Sequence, residues 1–455
     1  MKKAFAAIAV LAIAIVVLAA LFIRQDFLET PKNEETYVGV TYCGNSVAEG
    51  KQLIDKVKQY TNLFVLQSSN LQRDFTSVNE LGDYAVSAGM YFLPYFGNFI
   101  EATFSSWLET AKQRWGNHFL GVYYGDEPGG KMLDDYVEFK DAATGDSITK
   151  TRYGDIVVEK PNGVVIHYEI NGAIHLYEPG SENSNQTEQT ASYTTFYPNG
   201  TITEDTTNAH TSSEHSYRSY EELLSIKPFK DVDETAERFR TRDQNNIEFL
   251  SNSTKVFTSD YALFWFDYLS GFDVVLAHLG WNITMNQQIA LARGAAKLQG
   301  KDWGIVITWK YDRPPYLDNG TQILNQMRTA YEAGAKYIIL FNYYDENGNP
   351  YGTLKEEHFQ ALESFWNNVI KNPNVVQGST KANSVLVLPK NYGWGMRWEE
   401  DKIWGIFKAN ETTAQLWELT QNTMQNHGLE LDIVYEDTNF PPPITEYQYI
   451  YHWND

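Results

Sequence analysis

The sequence predicts an α/β protein built around a (β/α)8 TIM barrel, and three observations support this fold class. Eight short runs of β-branched and aromatic residues recur between residues 37 and 343. Polar or amphipathic stretches of helical length separate most of these runs, a pattern typical of a parallel sheet covered on both faces. Eight runs also fit a closed barrel better than an open sheet. A doubly wound sheet is the alternative, but the segment 42–45 after the first run is not a glycine-rich phosphate loop.

The chain opens with a segment that predicts a membrane anchor. Residues 4–23 are twenty consecutive apolar side chains, and a helix of that length spans about 30 Å, the thickness of a bilayer core. Lys2 and Lys3 precede them, which favours a cytoplasmic N-terminus and an extracytoplasmic remainder. A cleaved signal peptide is the alternative for residues 1–30. Six N-x-S/T sequons agree weakly with an exported glycoprotein; they begin at Asn185, Asn199, Asn252, Asn282, Asn319 and Asn410.

The barrel is expected from two segments, 36–133 and 226–372. Its predicted strands are Tyr37–Tyr42, Leu63–Gln67, Met90–Tyr95, Leu120–Tyr124, Tyr261–Phe266, Asp273–Ala277, Gly304–Trp309 and Tyr337–Phe341. Its predicted helices are Ala48–Tyr60, Val78–Ala88, Phe104–Trp115, Glu234–Leu250, Met285–Leu298, Ile323–Ala333 and Lys355–Ile370. Two short apolar runs and one helical pattern then predict a small α/β region at 380–455.

One connection is much longer than a barrel loop requires. Residues 134–225 separate strand four from the helix before strand five, and repeated turn signals predict a small β-meander there, followed by a flexible polar segment at 181–216. The turn signals are Gly154-Asp155, Asn162-Gly163, Asn171-Gly172 and Pro198-Asn199-Gly200. Connections that follow barrel strands emerge on the catalytic side, so we expect the meander beside the cleft. A surface ornament is the alternative, since extra loop length costs little entropy.

Charge and composition exclude several classes of function. Lys and Arg total 36 and Asp and Glu total 58, giving a formal net charge of −22. This charge argues against nucleic acid as a partner, because nucleic acid requires a basic face. The single cysteine, Cys43, excludes an internal disulfide. Nine histidines show no H-x-x-x-H or paired spacing, so we expect no metal site and no cofactor.

Residues that end the predicted strands should line the catalytic face, because active sites of this fold lie at the carboxyl ends of the strands. Carboxylates and aromatic residues dominate these positions, and basic groups are few. Aromatic faces pack on sugar C–H surfaces and acids bond hydroxyl groups, so the pattern indicates a carbohydrate ligand. The predicted substrate-binding residues are Tyr42, Gln67, Tyr95, Tyr124, His278, Trp281, Trp309, Lys310, Asn342 and Tyr343.

The end of strand four, residues 123–130, contains the best candidate for a catalytic acid, Glu127. Hydrolysis of a glycosidic bond needs two carboxyl groups, one protonated and one ionised. The neighbouring Asp126 and aromatic surroundings should raise the pKa of Glu127. Candidates for the second carboxyl group are Asp267, Asp312 and Asp345. The alternative is structural, since acidic residues followed by proline and glycine are common in turns.

The run LGVYYGDEPG at residues 120–129 resembles barrel glycoside hydrolases and glycosidase-like barrels that carry a D-E-P sequence at the end of strand four. A further similarity is the strand at 303–311 followed by the helix and strand within 327–341. The resemblance spans the barrel, about residues 36–370. It implies Glu127 as the general acid and Asp126 as its tuning or substrate-binding neighbour.

The sequence also departs from the patterns of those enzymes. Retaining barrels of the largest clan place Asn before the strand-four Glu and a nucleophilic Glu on strand seven, where this chain offers only Lys310 and Asp312. Chitinase-like barrels place an Asp where this chain has Gly125. The leading expectation is a membrane-anchored, extracytoplasmic glycoside hydrolase that cleaves an oligo- or polysaccharide by carboxyl general acid catalysis. Its rival is a catalytically silent barrel that binds glycans or belongs to the cell envelope, and a metal-dependent deacetylase or esterase is a weaker third hypothesis.

Overall fold

The computed structural model describes residues 35–97, 104–178, 192–206, 218–281, 283–344 and 349–454. The strands are β1 (Tyr37–Tyr42), β2 (Leu63–Leu66), β3 (Tyr91–Pro94), β4 (Val122–Tyr123), β5 (Tyr136–Lys140), β6 (Ser147–Thr151), β7 (Ile156–Glu159), β8 (Val165–Tyr168), β9 (Ile174–Glu178), β10 (Ser192–Phe196), β11 (Ile202–Thr206), β12 (Val256–Asp260), β13 (Val274–Leu279), β14 (Asp302–Ile307), β15 (Tyr337–Leu340), β16 (Ser384–Leu388), β17 (Leu431–Tyr435) and β18 (Tyr449–His452). The helices are α1 (Val47–Val57), α2 (Phe75–Ser87), α3 (Phe104–Trp115), α4 (Pro128–Asp134), α5 (Tyr220–Ser225), α6 (Val232–Arg242), α7 (Gln244–Ser251), α8 (Phe264–Leu269), α9 (Met285–Gln299), α10 (Gly320–Glu332), α11 (Glu356–Phe365) and α12 (Glu411–His427).

The centre of the fold is a nearly closed barrel of eight parallel strands in the order β3-β2-β1-β15-β14-β13-β12-β4. The remaining seam, between β3 and β4, is joined by backbone hydrogen bonds. Leu120 N donates to Phe92 O at 3.1 Å, and Phe96 N donates to Tyr123 O at 3.0 Å. The α/β barrel that the sequence predicts is therefore present, with short β4 at the seam.

Alternation along the strands divides their side chains between two apolar layers. The inside of the barrel is filled by Leu63, Val65, Leu93, Tyr123, Phe257, Val274, Leu276, Val306, Tyr337 and Ile339. The intervening strand residues pack outward against the helices. In β4 this places Tyr123 inside and Tyr124 outside, although both are fully buried. The alternation therefore decides which of two adjacent tyrosines approaches the barrel mouth.

The fifth barrel strand lies earlier in the chain than the sequence predicted. The predicted strand at Tyr261–Phe266 is wrong, because the strand is β12 and the aromatic run instead leads into helix α8. Aromatic residues favour strands, but burial against neighbouring elements overrides that propensity. Phe266 packs against Trp404 with ring centroids 4.7 Å apart. The strand consequently ends in Ser259 and Asp260, two residues that sequence analysis did not place at the cleft.

The predicted helices begin where side chains can cap them. The carboxylate of Asp74 accepts hydrogen bonds from Thr76 N at 3.0 Å and Ser77 N at 3.2 Å, so α2 starts three residues earlier than predicted. The single helix expected at Glu234–Leu250 is two helices, α6 and α7, which meet at Asp243. Both buried faces pack against the barrel core.

The insertion after α4 is a seven-stranded antiparallel meander in the order β11-β10-β9-β8-β7-β6-β5. Its turns coincide with the glycine-containing signals in the sequence, including the hairpin at Pro198-Asn199-Gly200 between β10 and β11. Part of the segment expected to be flexible, 192–206, therefore extends the sheet. Residues 179–191 and 207–217 lie outside the described residues. The meander is tied to the following helices, since Arg238 binds Glu138 at 2.7 Å.

The C-terminal residues form a small α/β unit, as the sequence predicts, with a parallel sheet in the order β17-β16-β18 and the helix α12. A buried ion pair attaches it to the barrel: Arg293 of α9 donates to Asp432 Oδ1 at 2.7 Å. The same guanidinium donates to Leu431 O at 3.0 Å and Leu429 O at 2.7 Å. Two of these acceptors are backbone carbonyls and the third belongs to fully buried Asp432, so removing Arg293 would leave unpaired polar groups in the interface.

The expected membrane anchor at residues 4–23 lies outside the described residues. Across the parts of the chain that the structure describes, no helix combines the length and the apolar character needed to cross a bilayer. Membrane anchoring therefore stays a prediction from the sequence.

Candidate active site

A cleft of about 250 Å³ opens at the carboxyl ends of the barrel strands, where active sites of this fold lie. Carboxylates, hydroxyl groups and aromatic rings line it. The lining residues are Gln67, Tyr123, Asp126, Glu127, Ser259, His278, Trp281, Val306, Thr308, Trp309, Phe341 and Tyr343. They come from six of the eight barrel strands or the loops that follow them, so the barrel itself positions the site.

The chain turns sharply after β4 to bring Glu127 to the cleft. Gly125 and Glu127 both adopt left-handed backbone conformations, with φ of 67° and 55°. Such a conformation costs a non-glycine residue about 1–2 kcal/mol, so the surrounding structure must hold Glu127 there. One restraint is the bond from Glu127 N to Ser259 O at 2.8 Å. Pro128 follows at the first position of α4, where its missing N–H is not needed.

The buried carboxylate of Asp260 anchors the same turn. It accepts hydrogen bonds from Gly129 N at 2.5 Å and Gly130 N at 2.8 Å, and from Tyr261 N at 2.7 Å. Neither glycine has room for a side chain, because a Cβ on Gly130 would overlap the Tyr261 ring and one on Gly129 would lie 2.7 Å from Ala262 O. The D-E-P-G-G sequence therefore has a packing requirement as well as a chemical one.

Asp126 sits among hydrogen-bond donors. Its Oδ1 lies 2.6 Å from the Tyr123 hydroxyl and 3.0 Å from the Ser259 hydroxyl, and both donate to it. Lys131 donates to the backbone carbonyl of Asp126 at 2.6 Å, and its ammonium lies 3.9 Å from Oδ2. Two hydroxyl donors and a nearby cation thus surround the Asp126 carboxylate.

His278 connects the two acidic residues through Ser259. Its Nε2 lies 2.7 Å from Ser259 Oγ, and its Nδ1 lies 3.3 Å from Glu127 Oε1. Burial lowers the pKa of His278 to about 4, so the imidazole is neutral at pH 7. A neutral imidazole has one N–H and one acceptor nitrogen. With Nε2–H directed at Ser259, Nδ1 carries the lone pair and lies beside the Glu127 carboxyl group, although the described structure gives it no hydrogen-bond partner.

Glu127 is held in an environment that favours its protonated form. Burial, and after it the negative charges of Asp126 and Asp260, raise the pKa of Glu127 from 4.5 to about 8. The Lys131 ammonium opposes this effect but does not cancel it. The cleft therefore presents one carboxyl group that carries a proton at neutral pH next to one that hydrogen bonds stabilise as a carboxylate.

Aromatic side chains form the outer wall of the cleft. Trp281 is 41% exposed and has a left-handed backbone with φ of 45°. Its ring centroid lies 6.5 Å from that of Trp309, which in turn contacts Tyr343 at 5.1 Å. Exposed aromatic rings beside buried acids give the cleft both an apolar face and polar contacts, as small-molecule sites generally have.

The structure brings seven of the sequence-predicted site residues together at the cleft: Gln67, Asp126, Glu127, His278, Trp281, Trp309 and Tyr343. Tyr95 is adjacent, with its ring 5.0 Å from the Tyr123 ring. The other predicted residues do not line it. Tyr42 and Tyr124 face the outer layer, where Tyr42 donates to Ser46 O and Tyr124 accepts from Asn246. Asn342 is buried and bonds Thr41 and Thr353 through its backbone and side chain.

The remaining carboxylate and lysine candidates also lie elsewhere. Asp267 is fully buried inside α8, where burial and the nearby Asp260 raise its pKa well above the ordinary value. Asp312 is exposed in a loop, and Lys310 pairs with Asp318 at 3.0 Å. Asp345 lies outside the described residues. Among the described candidates, Asp126 is therefore the carboxylate that accompanies Glu127.

Sequence analysis missed three polar residues of the site: Tyr123, Ser259 and Asp260. Strand alternation separates Tyr123, which faces into the barrel, from Val122 and Tyr124, which face outward. Ser259 and Asp260 were missed because strand five was misplaced. None of the cleft-lining residues belongs to the described part of 134–225, and the expectation that the meander lies beside the cleft stays a prediction.

No family model matches the chain, and a search of curated proteins gave no match either. Among solved structures the chain is similar to α-L-fucosidase isoenzyme 2 from Paenibacillus thiaminolyticus, with 9% identity, a TM-score of 0.41, and 91% of this chain and 60% of that chain covered. It is also similar to ScGas2 in complex with compound 9, with 9% identity, a TM-score of 0.34 and coverages of 77% and 68%. A third is the HpcH/HpaI aldolase from Desulfitobacterium hafniense DCB-2, with 12% identity, a TM-score of 0.27 and coverages of 68% and 86%. Likenesses this weak carry no information on activity.

Proposed function

We propose that this protein is a glycoside hydrolase in which Glu127 is the general acid and Asp126 the ionised partner. The observation that carries the proposal is the contrast between the two neighbouring carboxyl groups. Burial and negative neighbours raise the pKa of Glu127 to about 8, whereas Asp126 accepts two hydroxyl hydrogen bonds and lies near an ammonium group. Glycosidic hydrolysis requires one protonated and one ionised carboxyl group flanking the bond.

In this mechanism Glu127 transfers its proton to the glycosidic oxygen as the bond between that oxygen and the anomeric carbon breaks. Positive charge develops on the sugar ring, and the Asp126 carboxylate stabilises it. Asp126 then acts either as the nucleophile or as the base that takes a proton from water. His278 stays neutral beside the Glu127 carboxyl group, with its Nδ1 3.3 Å from Oε1, so it leaves the proton on Glu127 for transfer to the glycosidic oxygen.

The cleft wall supports a carbohydrate as the substrate. Trp281, Trp309 and Tyr343 contribute adjoining aromatic rings to the lining, and the acids and Gln67 contribute its polar groups. Sugar rings have C–H faces that pack on aromatic surfaces and hydroxyl edges that bond acids and amides. A strongly anionic substrate fits less well, since the described cleft lining contains no Lys or Arg.

A second function class is favoured by one specific observation. Ser259, His278 and Glu127 are connected at 2.7 and 3.3 Å in the order of a serine hydrolase triad. An acyl hydrolase that removes esters from glycans would use this arrangement. Two facts favour the glycosidase: Ser259 is 1% exposed and already bonds Asp126, and a triad acid must be ionised whereas Glu127 favours its protonated form.

The membrane-anchored, extracytoplasmic location belongs to this proposal as well, and it rests on the apolar run at residues 4–23 and the preceding Lys2 and Lys3. It is tested by expressing the chain with and without residues 1–31. We expect the longer form in the membrane fraction and the shorter form in the soluble fraction. Equal partition of the two forms would contradict the anchor.

The activity is tested with the full-length chain in mild detergent on a panel of aryl glycosides, oligosaccharides and acetylated sugars. We expect Glu127→Gln to lower kcat on the best glycoside by about 10²–10⁴-fold while glycan affinity is kept, because the amide preserves size but donates no acid proton. Asp126→Asn should also abolish turnover. The matched control is Glu248→Gln, an exposed residue of α7, which should behave as wild type.

Each alternative has its own outcome. Unchanged turnover in Glu127→Gln would remove Glu127 from the chemistry. Release of acetate that is lost in Ser259→Ala, together with labelling of Ser259 by a fluorophosphonate, would establish the acyl hydrolase instead. Glycan binding by the wild type without hydrolysis of any substrate would support the silent barrel.

A further inference from the structure

A group of metal-ligating side chains lies on the meander, separate from the residues that line the cleft. His167, Glu169 and His175 each place one ligand atom within 4.8 Å of the others, and they form the one such group of three or more in the described parts of the chain. The hairpin between β8 and β9 explains why they meet. His167 pairs directly with His175 across the two strands, and Glu169 lies two residues along from His167, on the same face.

The hydrogen bonds around His175 orient it as a ligand. Its Nδ1 lies 2.9 Å from Thr195 Oγ1 and 3.0 Å from the Tyr193 hydroxyl, both on the adjacent strand β10. A proton on Nδ1 leaves the lone pair of Nε2 directed at Glu169 Oε1, 3.0 Å away. Two acceptor atoms this close require a cation or a proton between them. Metal-bound histidines typically have their second ring nitrogen held in this way.

We propose that His167, Glu169 and His175 bind one divalent transition metal ion, with zinc(II) as the expected ion. Imidazole nitrogens and a carboxylate oxygen are the donors that zinc prefers, and three protein ligands suffice when a fourth donor is available. Water can supply that fourth donor, as it does at zinc sites with three protein ligands. The side chains are 17–37% exposed, so an ion can enter from solvent.

Such a site would fasten the hairpin of β8 and β9 to the adjacent β10. The three ligands come from both strands of the hairpin, and the groups that orient His175 come from β10. An ion bound only by the folded meander stabilises it by mass action. Zinc binding would therefore raise the stability of the meander, which contains all three ligands.

The test uses the full-length chain without a polyhistidine tag, treated with EDTA and dialysed, and then titrated with ZnCl2. We expect one equivalent of zinc to bind and to raise the melting temperature. Cobalt(II) should give the visible bands of a four-coordinate site. Affinity should fall as the pH is lowered, because protonated imidazole cannot bind a metal.

Four variants make the assignment specific. Thr195→Val removes a group that orients His175 and should weaken zinc binding by about 10–100-fold. His167→Ala and His175→Ala each remove a ligand and should weaken zinc binding by more than that. Glu169→Gln keeps the side-chain shape, so it remains informative if an alanine variant fails to fold. His118→Ala, at the end of α3, is the control and should bind zinc as the wild type does. Zinc affinity equal to that of the wild type in both Glu169→Gln and His175→Ala, or no zinc binding by the wild type at pH 8, would overturn the proposal and leave a hydrogen-bonded network only.

Discussion

The protonated state of Glu127 has a consequence for stability as well as for catalysis. Its pKa is about 8 in the folded protein and 4.5 as an unperturbed group. Between these two pH values the unfolded chain releases the proton while the folded chain keeps it. The folded state then binds more protons, so the free energy of unfolding falls as the pH rises from 4.5 to about 8. Glu127→Gln removes this dependence because glutamine does not titrate.

The size of the effect follows from the pKa difference. At 1.36 kcal/mol per pKa unit, a change from 4.5 to about 8 corresponds to at most about 5 kcal/mol. The Glu127 side chain is 26% exposed, so water offsets part of the penalty and we expect about 2–4 kcal/mol. Glu127→Gln should thus be more stable than the wild type at pH 9, and it should lose or gain little at pH 5.

The assay is urea unfolding of the full-length chain in mild detergent, followed by tryptophan fluorescence at pH 5, 7 and 9. The control variant Glu248→Gln changes an exposed carboxylate and should shift the free energy of unfolding by less than about 0.5 kcal/mol at every pH. A difference between Glu127→Gln and wild type that is the same at pH 5 and pH 9 would refute the raised pKa. Lower stability of Glu127→Gln at pH 9 would refute it as well.

Three further predictions test the support of the site. Gly130→Ala should lower the free energy of unfolding by about 1–3 kcal/mol, measured by urea unfolding, because the new methyl group overlaps the Tyr261 ring. Asp260→Asn should lower kcat more than it changes KM, because the amide NH2 cannot accept a hydrogen bond and either Gly129 N or Gly130 N loses its acceptor. An unchanged kcat would show that this clamp does not position Glu127. Trp281→Ala should raise KM for glycans with little change in kcat, and an unaltered KM would remove Trp281 from the binding face.

The barrel could be predicted from the sequence because each strand is a continuous apolar run between turn residues. β1 agrees with its prediction at both ends, and seven of the strand runs were placed within two residues of the observed ones. The fifth run failed because Tyr261–Phe266 looks more strand-like than Val256–Asp260. Burial of the aromatic rings against the C-terminal region decided the outcome, and that contact joins residues far apart in the chain.

The two acidic residues of the site could be predicted from the sequence, but the hydrogen bonds that connect them to other side chains could not. The D-E-P sequence after strand four pointed to Asp126 and Glu127, which the structure places in one cleft. Tyr124 was chosen over Tyr123 because the strand register was not known, and one residue of register moves a side chain to the opposite face. Ser259 carried no motif of its own, so its bonds to Asp126 and His278 became visible only in three dimensions.

The expectation of no metal site rested on the absence of H-x-x-x-H or paired histidine spacing. That criterion does not detect histidines that a β-hairpin brings together. His167 and His175 are each four residues from Asn171, the centre of the turn between β8 and β9. In a hairpin, equal distances from the turn place two residues opposite each other. The Asn171-Gly172 turn signal together with this symmetry would have identified the pair from the sequence.

The central claim, that Glu127 donates the proton to the departing oxygen, is tested most directly by changing how much the leaving group needs that proton. The measurement compares kcat/KM of wild type and Glu127→Gln on two glycosides of the same sugar, one with a dinitrophenyl group and one with an alkyl group. A dinitrophenolate leaves without protonation, so Glu127→Gln should act on that glycoside nearly as well as the wild type. On the alkyl glycoside it should be slower by about 10²–10⁴-fold. An equal loss on both glycosides, or no loss on either, would contradict the role of Glu127 as the general acid.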